Sequence, residues 1–212
     1  MVEQYLRQSA LAHLGLDGHA QATRGEAGIA MSEQPFRGIV NVRVRPGDGE
    51  AGTALEAVLG FALPAEPNTT AASATALALW LGPDEWWIVV PGPEPECGPT
   101  LAAALHEALA GRPGSAVTDV TDSRTCLRIR GPRARDLLNK GTPLDLHPRV
   151  FPAGRCAQSH LAKTDVVVHL VADDGADDGP VFELYVLRSF AEYLWLWLAD
   201  AAREYGLAIT SS

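Results

Sequence analysis

Three glycines, at positions 47, 49 and 52, have the spacing of a loop that binds the pyrophosphate of a dinucleotide cofactor. They lie between a predicted strand and a predicted helix, which is the arrangement that such a loop requires. However, Asp48 and Glu50 would bring negative charge to the pyrophosphate, and the following segments have the pattern of hairpin strands instead of a parallel crossover. We therefore interpret these residues as a glycine-rich loop that holds no cofactor.

Acidic residues and histidines are the side chains that could supply a metal site. A calcium-binding EF-hand loop beginning at Asp173 would need glycine at its sixth position and glutamate at its twelfth, where this sequence has Asp178 and Leu184. The six histidines include no H-x-x-x-H or H-E-x-x-H pair. We therefore predict no metal ligand, and we interpret the acidic run at 173–178 as a solvated loop.

Residues that could act in nucleophilic or acid–base catalysis are also isolated. Ser159 and His160 are neighbours, but no G-x-S-x-G turn surrounds the serine. Four arginines close to a predicted helix start could hold a phosphate or a folate tail, yet Pro132 removes one amide donor there. The four are Arg128, Arg130, Arg133 and Arg135, and we expect those in the predicted strand to face solvent or a partner. No catalytic, cofactor-binding or metal-binding residue is therefore predicted on this chain.

Composition excludes several classes of partner. The chain has 212 residues, of which 47% are hydrophobic, so it can form one large core or two smaller ones. Its formal net charge is -9, and a surface this acidic repels nucleic acid and anionic membranes. The three cysteines are widely spaced and odd in number, which favours a reducing compartment. With neither a signal peptide nor a membrane span recognisable, we expect a cytoplasmic protein with no nucleic-acid or membrane partner.

The elements that must position these residues follow from hydrophobic periodicity and turn signals. Alternation over Gly38–Arg45 predicts a half-buried strand. Capping-box sequences of the Thr-x-x-Glu and Ser-x-x-Glu type begin at Thr53 and Ser189, which predicts a helix after each. Gly60 lies where the first of these helices should end, and the second should run to about Tyr205.

Both halves of the chain show the same order of strand, helix, hairpin strands and helix. We therefore predict an α+β fold built from a duplicated unit, with mostly antiparallel sheets and with helices packed on one face. The predicted regions are an extended N-terminal arm over residues 1–35, a first α+β half over 36–122 and a second over 123–212.

The last predicted helix has large apolar side chains on a face that should be exposed to solvent. At 100° per residue, its predicted core arc comprises Phe190, Leu194, Trp197, Leu198 and Ala201. Tyr193 and Leu196 fall among the charged positions Glu192 and Asp200, and Trp195 lies at the edge of the arc. We therefore predict that Tyr193, Trp195 and Leu196 contact a partner protein. The alternative is that the arm or a loop of the same chain covers them.

Seven stretches, in order along nearly the whole chain, match a known family; they are Ser9–Leu14, Glu33–Arg43, Leu81–Trp86, Gly131–Leu138, Leu144–Pro148, Cys156–Lys163 and Arg188–Trp195. In these stretches the chain resembles the gamma subunit of heterotetrameric sarcosine oxidase. The resemblance implies a fold similar to the folate-binding region of the glycine-cleavage aminomethyltransferase, which suits the strand, Gly-Pro and helix passage at Leu127–Leu138.

The resemblance also implies a function. The chain would be a non-catalytic accessory subunit of a complex that oxidatively demethylates sarcosine to glycine with oxygen and tetrahydrofolate. Its partners would be the alpha, beta and delta subunits, and FAD, FMN, NAD and tetrahydrofolate would bind to those partners and not to this chain. Two alternatives stay open: a free-standing folate-dependent one-carbon enzyme of the same fold, and the equivalent subunit of a related N-methyl amino acid dehydrogenase.

Overall fold

The computed structural model describes residues 7–16, 18, 27–90, 97–173 and 179–211. Internal contacts divide the chain into two compact units. The discontinuous unit comprises Met1–Pro35 and Arg124–Ser212, and the central unit comprises Phe36–Ser123. Each unit consists of a largely antiparallel sheet with helices, so the prediction of an α+β fold with antiparallel sheets is confirmed.

The regular elements alternate along the chain as the duplicated pattern requires. The strands are β1 (Ile29–Gln34), β2 (Gly38–Arg43), β3 (Thr70–Ala72), β4 (Leu77–Gly82), β5 (Glu85–Val90), β6 (Ala116–Asp119), β7 (Arg124–Arg130), β8 (Cys156–Leu161), β9 (Thr164–Ala172), β10 (Val181–Leu187) and β11 (Leu207–Ile209). The α-helices are α1 (Gly49–Leu59), α2 (Cys97–Ala108), α3 (Ala134–Asn139) and α4 (Ala191–Ala202).

The central unit has a five-stranded sheet in the order β3, β4, β5, β2 and β6, with every neighbouring pair antiparallel. Alternate residues of β2, Val40 and Val42, point into a core that also contains Leu55 of α1 and Leu105 of α2. Both helices therefore bury their apolar side against the same sheet face, as the period-two alternation of β2 indicates.

Helix α1 begins earlier than the sequence indicates, at Gly49. Its N-cap is Asp48, whose side chain accepts a hydrogen bond from the amide of Ala51 at 2.9 Å. Thr53, the predicted cap, lies inside the helix and donates to the carbonyl of Gly49 at 2.9 Å. The predicted cap is therefore wrong, because an aspartate already satisfies the first unpaired amides one turn earlier. The predicted C-cap at Gly60 is confirmed, with a φ of 79°.

The discontinuous unit has a six-stranded sheet in the order β11, β1, β7, β10, β9 and β8. Strand β11 pairs with β1 in parallel, and the other pairs are antiparallel. The predicted N-terminal arm over residues 1–35 therefore includes a strand, β1, with a neighbour on each side. Ile29 and Met31 of this strand are 0% exposed, so this part of the predicted arm belongs to the core of the unit.

Helices α3 and α4 cover one face of this sheet around a single core. A 3-10 turn over Arg188–Phe190 precedes α4, and the N-cap of α4 is Phe190, without a side-chain cap bond. Ser189 lies inside that turn, so its predicted role as the helix cap is wrong. None of the helices formed by the described residues is long and apolar enough to cross a membrane.

Candidate subunit interface

Helix α4 carries the residues that the sequence assigns to a partner contact. Its inner side consists of Ala191, Leu194, Trp195, Leu198 and Ala202, all of which belong to the core of the discontinuous unit. On the outer side, Tyr193 is 37% exposed and Leu196 is 53% exposed. Two of the three predicted interface side chains are therefore accessible on the described chain.

Trp195 does not have the exposed position that a partner contact requires. It is only 3% exposed and packs into the core of its own unit, so it is not an accessible anchor. The inner side of α4 is rotated by roughly 70° from the predicted arc, at 100° per residue. The prediction followed the largest side chains, whereas the helix also buries Ala191 and Ala202, small residues that leave room for the indole beside them.

Phe190 is an exposed residue that sequence reasoning missed. The predicted arc places it in the core, but it is 43% exposed. The reason is the 3-10 turn: Phe190 has φ −107° and ψ 0° at the N-cap, so it does not follow the periodicity of α4. The sequence carries no signal for this, because the Ser-x-x-Glu spacing at Ser189 indicates a helix that already includes Phe190.

These side chains form a continuous apolar stripe. Leu196 and Trp197 lie three and four residues after Tyr193, so these three are neighbours on one side of the helix, and the exposed Phe190 lies at the N-cap of the same helix. Trp197 is half-buried. We call Phe190, Tyr193, Leu196 and Trp197 the α4 surface. Its apolar character suits burial against another protein, and it offers no nucleophile or acid–base pair.

Charged residues border the α4 surface, as they do at the rim of many protein interfaces. Glu192 Oε2 lies 3.3 Å from His13 Nε2, and Asp200 Oδ1 lies 3.3 Å from Arg203 Nη1. All four side chains are more than half exposed, so these pairs contribute little to stability by themselves.

Residues that follow α3 fix the position of the stripe. A Cβ atom added at Gly141 would lie 2.5 Å from Cη2 of Trp197, so the indole rests directly against this glycine. Lys140 donates to the carbonyl of Ala201 at 2.5 Å and also binds Glu204. The hydrogen bond to Glu204 is the main cause that raises the pKa of Lys140 above its ordinary value. The ammonium group therefore stays charged where it ties α3 to the end of α4.

The glycine-rich loop at 47–52 does not have the chemistry of a phosphate-binding loop. The Asp48 carboxylate already accepts from the amide of Ala51 in the first turn of α1, and Arg112 Nη1 lies 3.1 Å from Glu50 Oε2 and 3.8 Å from Asp48 Oδ1. A pyrophosphate would have to displace these carboxylates, so the loop fits the interpretation without a cofactor.

Three of the four arginines of the predicted basic group interact with other side chains of the same chain. Arg128 Nη2 donates to the buried carboxylate of Glu183 at 2.6 Å, and Arg135 Nη2 lies 2.5 Å from Asp173 Oδ2. The guanidinium of Arg133 lies 4.8 Å from the centroid of the tyrosine ring in the turn after α4. Arg128 and Arg135 therefore form ion pairs within the chain, whereas the sequence predicts only contact with solvent or a partner for Arg128.

Possible metal ligands are dispersed over the part of the chain that the structure describes. Within it, no group of three or more histidine, cysteine, aspartate or glutamate side chains could hold a metal ion. Asp173 is engaged by Arg135. The other aspartates of the acidic run, at 174, 177 and 178, lie outside the described residues.

Comparison with known proteins gives consistent matches over nearly the whole chain. Residues 45–204 match the model of the sarcosine oxidase, gamma subunit family. The gamma subunit of sarcosine oxidase from Corynebacterium sp. (strain U-96) is 34% identical over 96% of this chain and 93% of its own length. The same subunit from an Arthrobacter species is 36% identical over 94% of this chain and 92% of its own length.

Solved structures extend the same similarity. A chain of the heterotetrameric sarcosine oxidase from Corynebacterium sp. U-96, in complex with pyrrole 2-carboxylate, superposes with a TM-score of 0.80 and 31% identity, covering 94% of this chain and 96% of that chain. The glycine cleavage system aminomethyltransferase T from Bartonella henselae gives a TM-score of 0.65 at 15% identity, covering 93% of this chain and 51% of that chain. The second likeness concerns the fold alone, and it confirms the predicted similarity in fold to aminomethyltransferase.

Proposed function

Because the chain belongs to the sarcosine oxidase gamma subunit family, we propose that it is the accessory, non-catalytic subunit of a heterotetrameric complex. That complex would oxidatively demethylate sarcosine to glycine with oxygen and tetrahydrofolate. The observation that carries the proposal is the end-to-end match, at a TM-score of 0.80, to a chain of a heterotetrameric sarcosine oxidase.

The other subunits of the complex are the proposed partners, namely alpha, beta and delta. In this proposal FAD, FMN, NAD and tetrahydrofolate are bound by those partners and not by this chain. The chemistry of the described residues supports this division, since the glycine-rich loop is occupied by its own carboxylates and Arg128 and Arg135 form ion pairs within the chain.

The α4 surface is the proposed contact with a larger subunit. Phe190, Tyr193 and Leu196 are large apolar side chains that the described part of the unit leaves between 37% and 53% exposed. Buried aromatic side chains are common sources of binding energy at protein interfaces. A charged rim at Glu192 and Asp200 would set the register of the contact without supplying most of its affinity.

A cytoplasmic location completes the proposal. None of the three cysteines, Cys97, Cys126 and Cys156, forms a disulfide in the structure, and reduced thiols suit a reducing compartment.

Turnover by the purified full chain tests the non-catalytic role. We expect no visible flavin spectrum and no sarcosine-dependent peroxide formation from the chain alone. The same assay on the assembled complex is the positive control, and turnover by the isolated chain would overturn the accessory role.

A further inference from the structure

Glu33 lies in an unusual position for a carboxylate. It belongs to β1, where it pairs with Leu127 of β7 and shares a sheet face with the fully buried Met31. The residue is only 8% exposed. Burial of an ionised carboxylate in such surroundings is unfavourable unless charge and hydrogen bonds compensate it.

The partners of Glu33 are neutral. Ser9 Oγ donates to Oε2 at 2.6 Å, and Thr125 Oγ1 donates to Oε1 at 2.7 Å. Among the described residues, no lysine, arginine or histidine nitrogen lies within 4.0 Å of this carboxylate. Arg188 reaches the N-terminal segment that contains Ser9, but it donates to the carbonyl of Gln8 and not to Glu33. A carboxylate has about four acceptor positions, so Glu33 can accept further donors.

Glu183 shows how the same unit compensates a buried glutamate. It is 2% exposed, and its carboxylate accepts from Arg128 at 2.6 Å and from the hydroxyl of Tyr185 at 2.8 Å. An arginine therefore supplies the positive charge for Glu183, whereas the described residues supply only hydroxyl groups to Glu33. A positive charge that pairs with Glu33 would therefore come from outside these residues.

A cavity gives such a charge a place to bind. Glu33 lines a cavity of about 310 Å³ within the discontinuous unit, at the lower end of the usual range for small-ligand sites. Ser9 and Thr210 add polar groups to its wall, and Leu11, Leu16 and Pro35 add apolar ones. The cavity thus combines one carboxylate with an apolar surface for an alkyl group.

We propose that this cavity binds a primary or secondary alkylammonium group, which forms an ion pair with Glu33 while its alkyl part packs on Leu11 and Leu16. An anion would be repelled by the carboxylate. A divalent cation such as calcium takes six to eight oxygen ligands, more than one carboxylate and two hydroxyls provide. The ammonium group comes either from a free small amine or from a lysine side chain of a partner subunit. Binding to the free chain does not depend on the proposed function.

The test is a titration of the full chain with n-butylammonium chloride, followed by amide NMR, with sodium chloride at equal ionic strength as the reference. We expect saturable shifts at Ser9 and Glu33 in the wild type. Glu33→Gln keeps the shape but loses the charge, so binding should weaken about tenfold or more. Glu107→Gln, which neutralises an exposed glutamate in the central unit, is the matched control and should bind as the wild type does.

A second variant keeps the test decisive if Glu33→Gln fails to fold. Ala12 is exposed and lines the cavity, so Ala12→Phe should block the site sterically while Glu33 stays in place. Shifts no larger than those with sodium chloride overturn the proposal, as does unchanged binding by Glu33→Gln or by Ala12→Phe. Repeating the titration on the assembled complex separates the sources: retained binding indicates a free amine, and binding lost only on assembly indicates a partner lysine.

Discussion

Single residues of α4 divide into two groups with opposite roles. Trp195 is 3% exposed and belongs to the core, whereas Leu196, the next residue, is 53% exposed. The two lie about 100° apart around the helix axis, which is enough to place one side chain in the unit and the other in solvent. Substitutions at the two positions should therefore have separable effects on folding and on assembly.

Leu196→Glu should weaken association with the partner subunits and leave the fold intact. A charge within the α4 surface would be buried on assembly without a partner, and the loss of an interface anchor costs on the order of 2 kcal/mol of association. Val150→Glu is the matched control, because Val150 is also 53% exposed in the same unit but lies outside the α4 surface. Co-purification measures the effect; if both variants assemble equally well, the proposed interface is wrong.

Trp195→Ala should destabilise the chain itself. Removing a buried indole from a packed core costs about 3–5 kcal/mol, whereas Phe190→Ala should change the unfolding free energy by less than about 0.5 kcal/mol, because Phe190 is largely outside the core. Chemical denaturation followed by circular dichroism measures both. Equal unfolding free energies for the two variants would contradict the burial of Trp195.

Elements differ in how strongly their own residues specify them. Strand β2 could be predicted because Val40 and Val42 alternate with polar residues. Strand β1 could not, because its inward side includes Glu33 beside Ile29 and Met31, which hides the apolar alternation. Strand β11 has only three residues and exists through its parallel pairing with β1, and a distant pairing leaves no local pattern. The exposure of the α4 surface could be predicted in part, since Tyr193 and Leu196 lie among charged residues, whereas the exposure of Phe190 depends on a 3-10 turn.

Helix α1 offers a direct comparison of an observed and a predicted cap. Asp48→Ala should destabilise the central unit by about 1 kcal/mol, because it removes the acceptor for the amide of Ala51. Thr53→Ala should be neutral or slightly stabilising, since this threonine lies on the exposed side of the helix interior, where alanine has the higher helix propensity. Urea denaturation of the two variants decides the matter, and a larger loss for Thr53→Ala would restore the predicted cap.

On the scale of the whole molecule, the chain shares its fold with two solved proteins, but to different extents. The likeness to aminomethyltransferase covers 51% of that protein, while the likeness to the chain of heterotetrameric sarcosine oxidase covers 96% of it. Sequence stretches distributed over the full length could predict this relationship, because each matches locally. They could not predict which side of α4 remains exposed, since that depends on how the helix packs against its own sheet.

Co-elution during size-exclusion chromatography tests the central proposal most directly, using the chain co-expressed with the alpha, beta and delta subunits. We expect the chain to co-elute with them in one complex that forms peroxide from sarcosine, and we expect Leu196→Glu to reduce co-elution while Val150→Glu does not. A chain that elutes alone, beside a complex of the other subunits with full sarcosine-dependent activity, would contradict its role as a subunit.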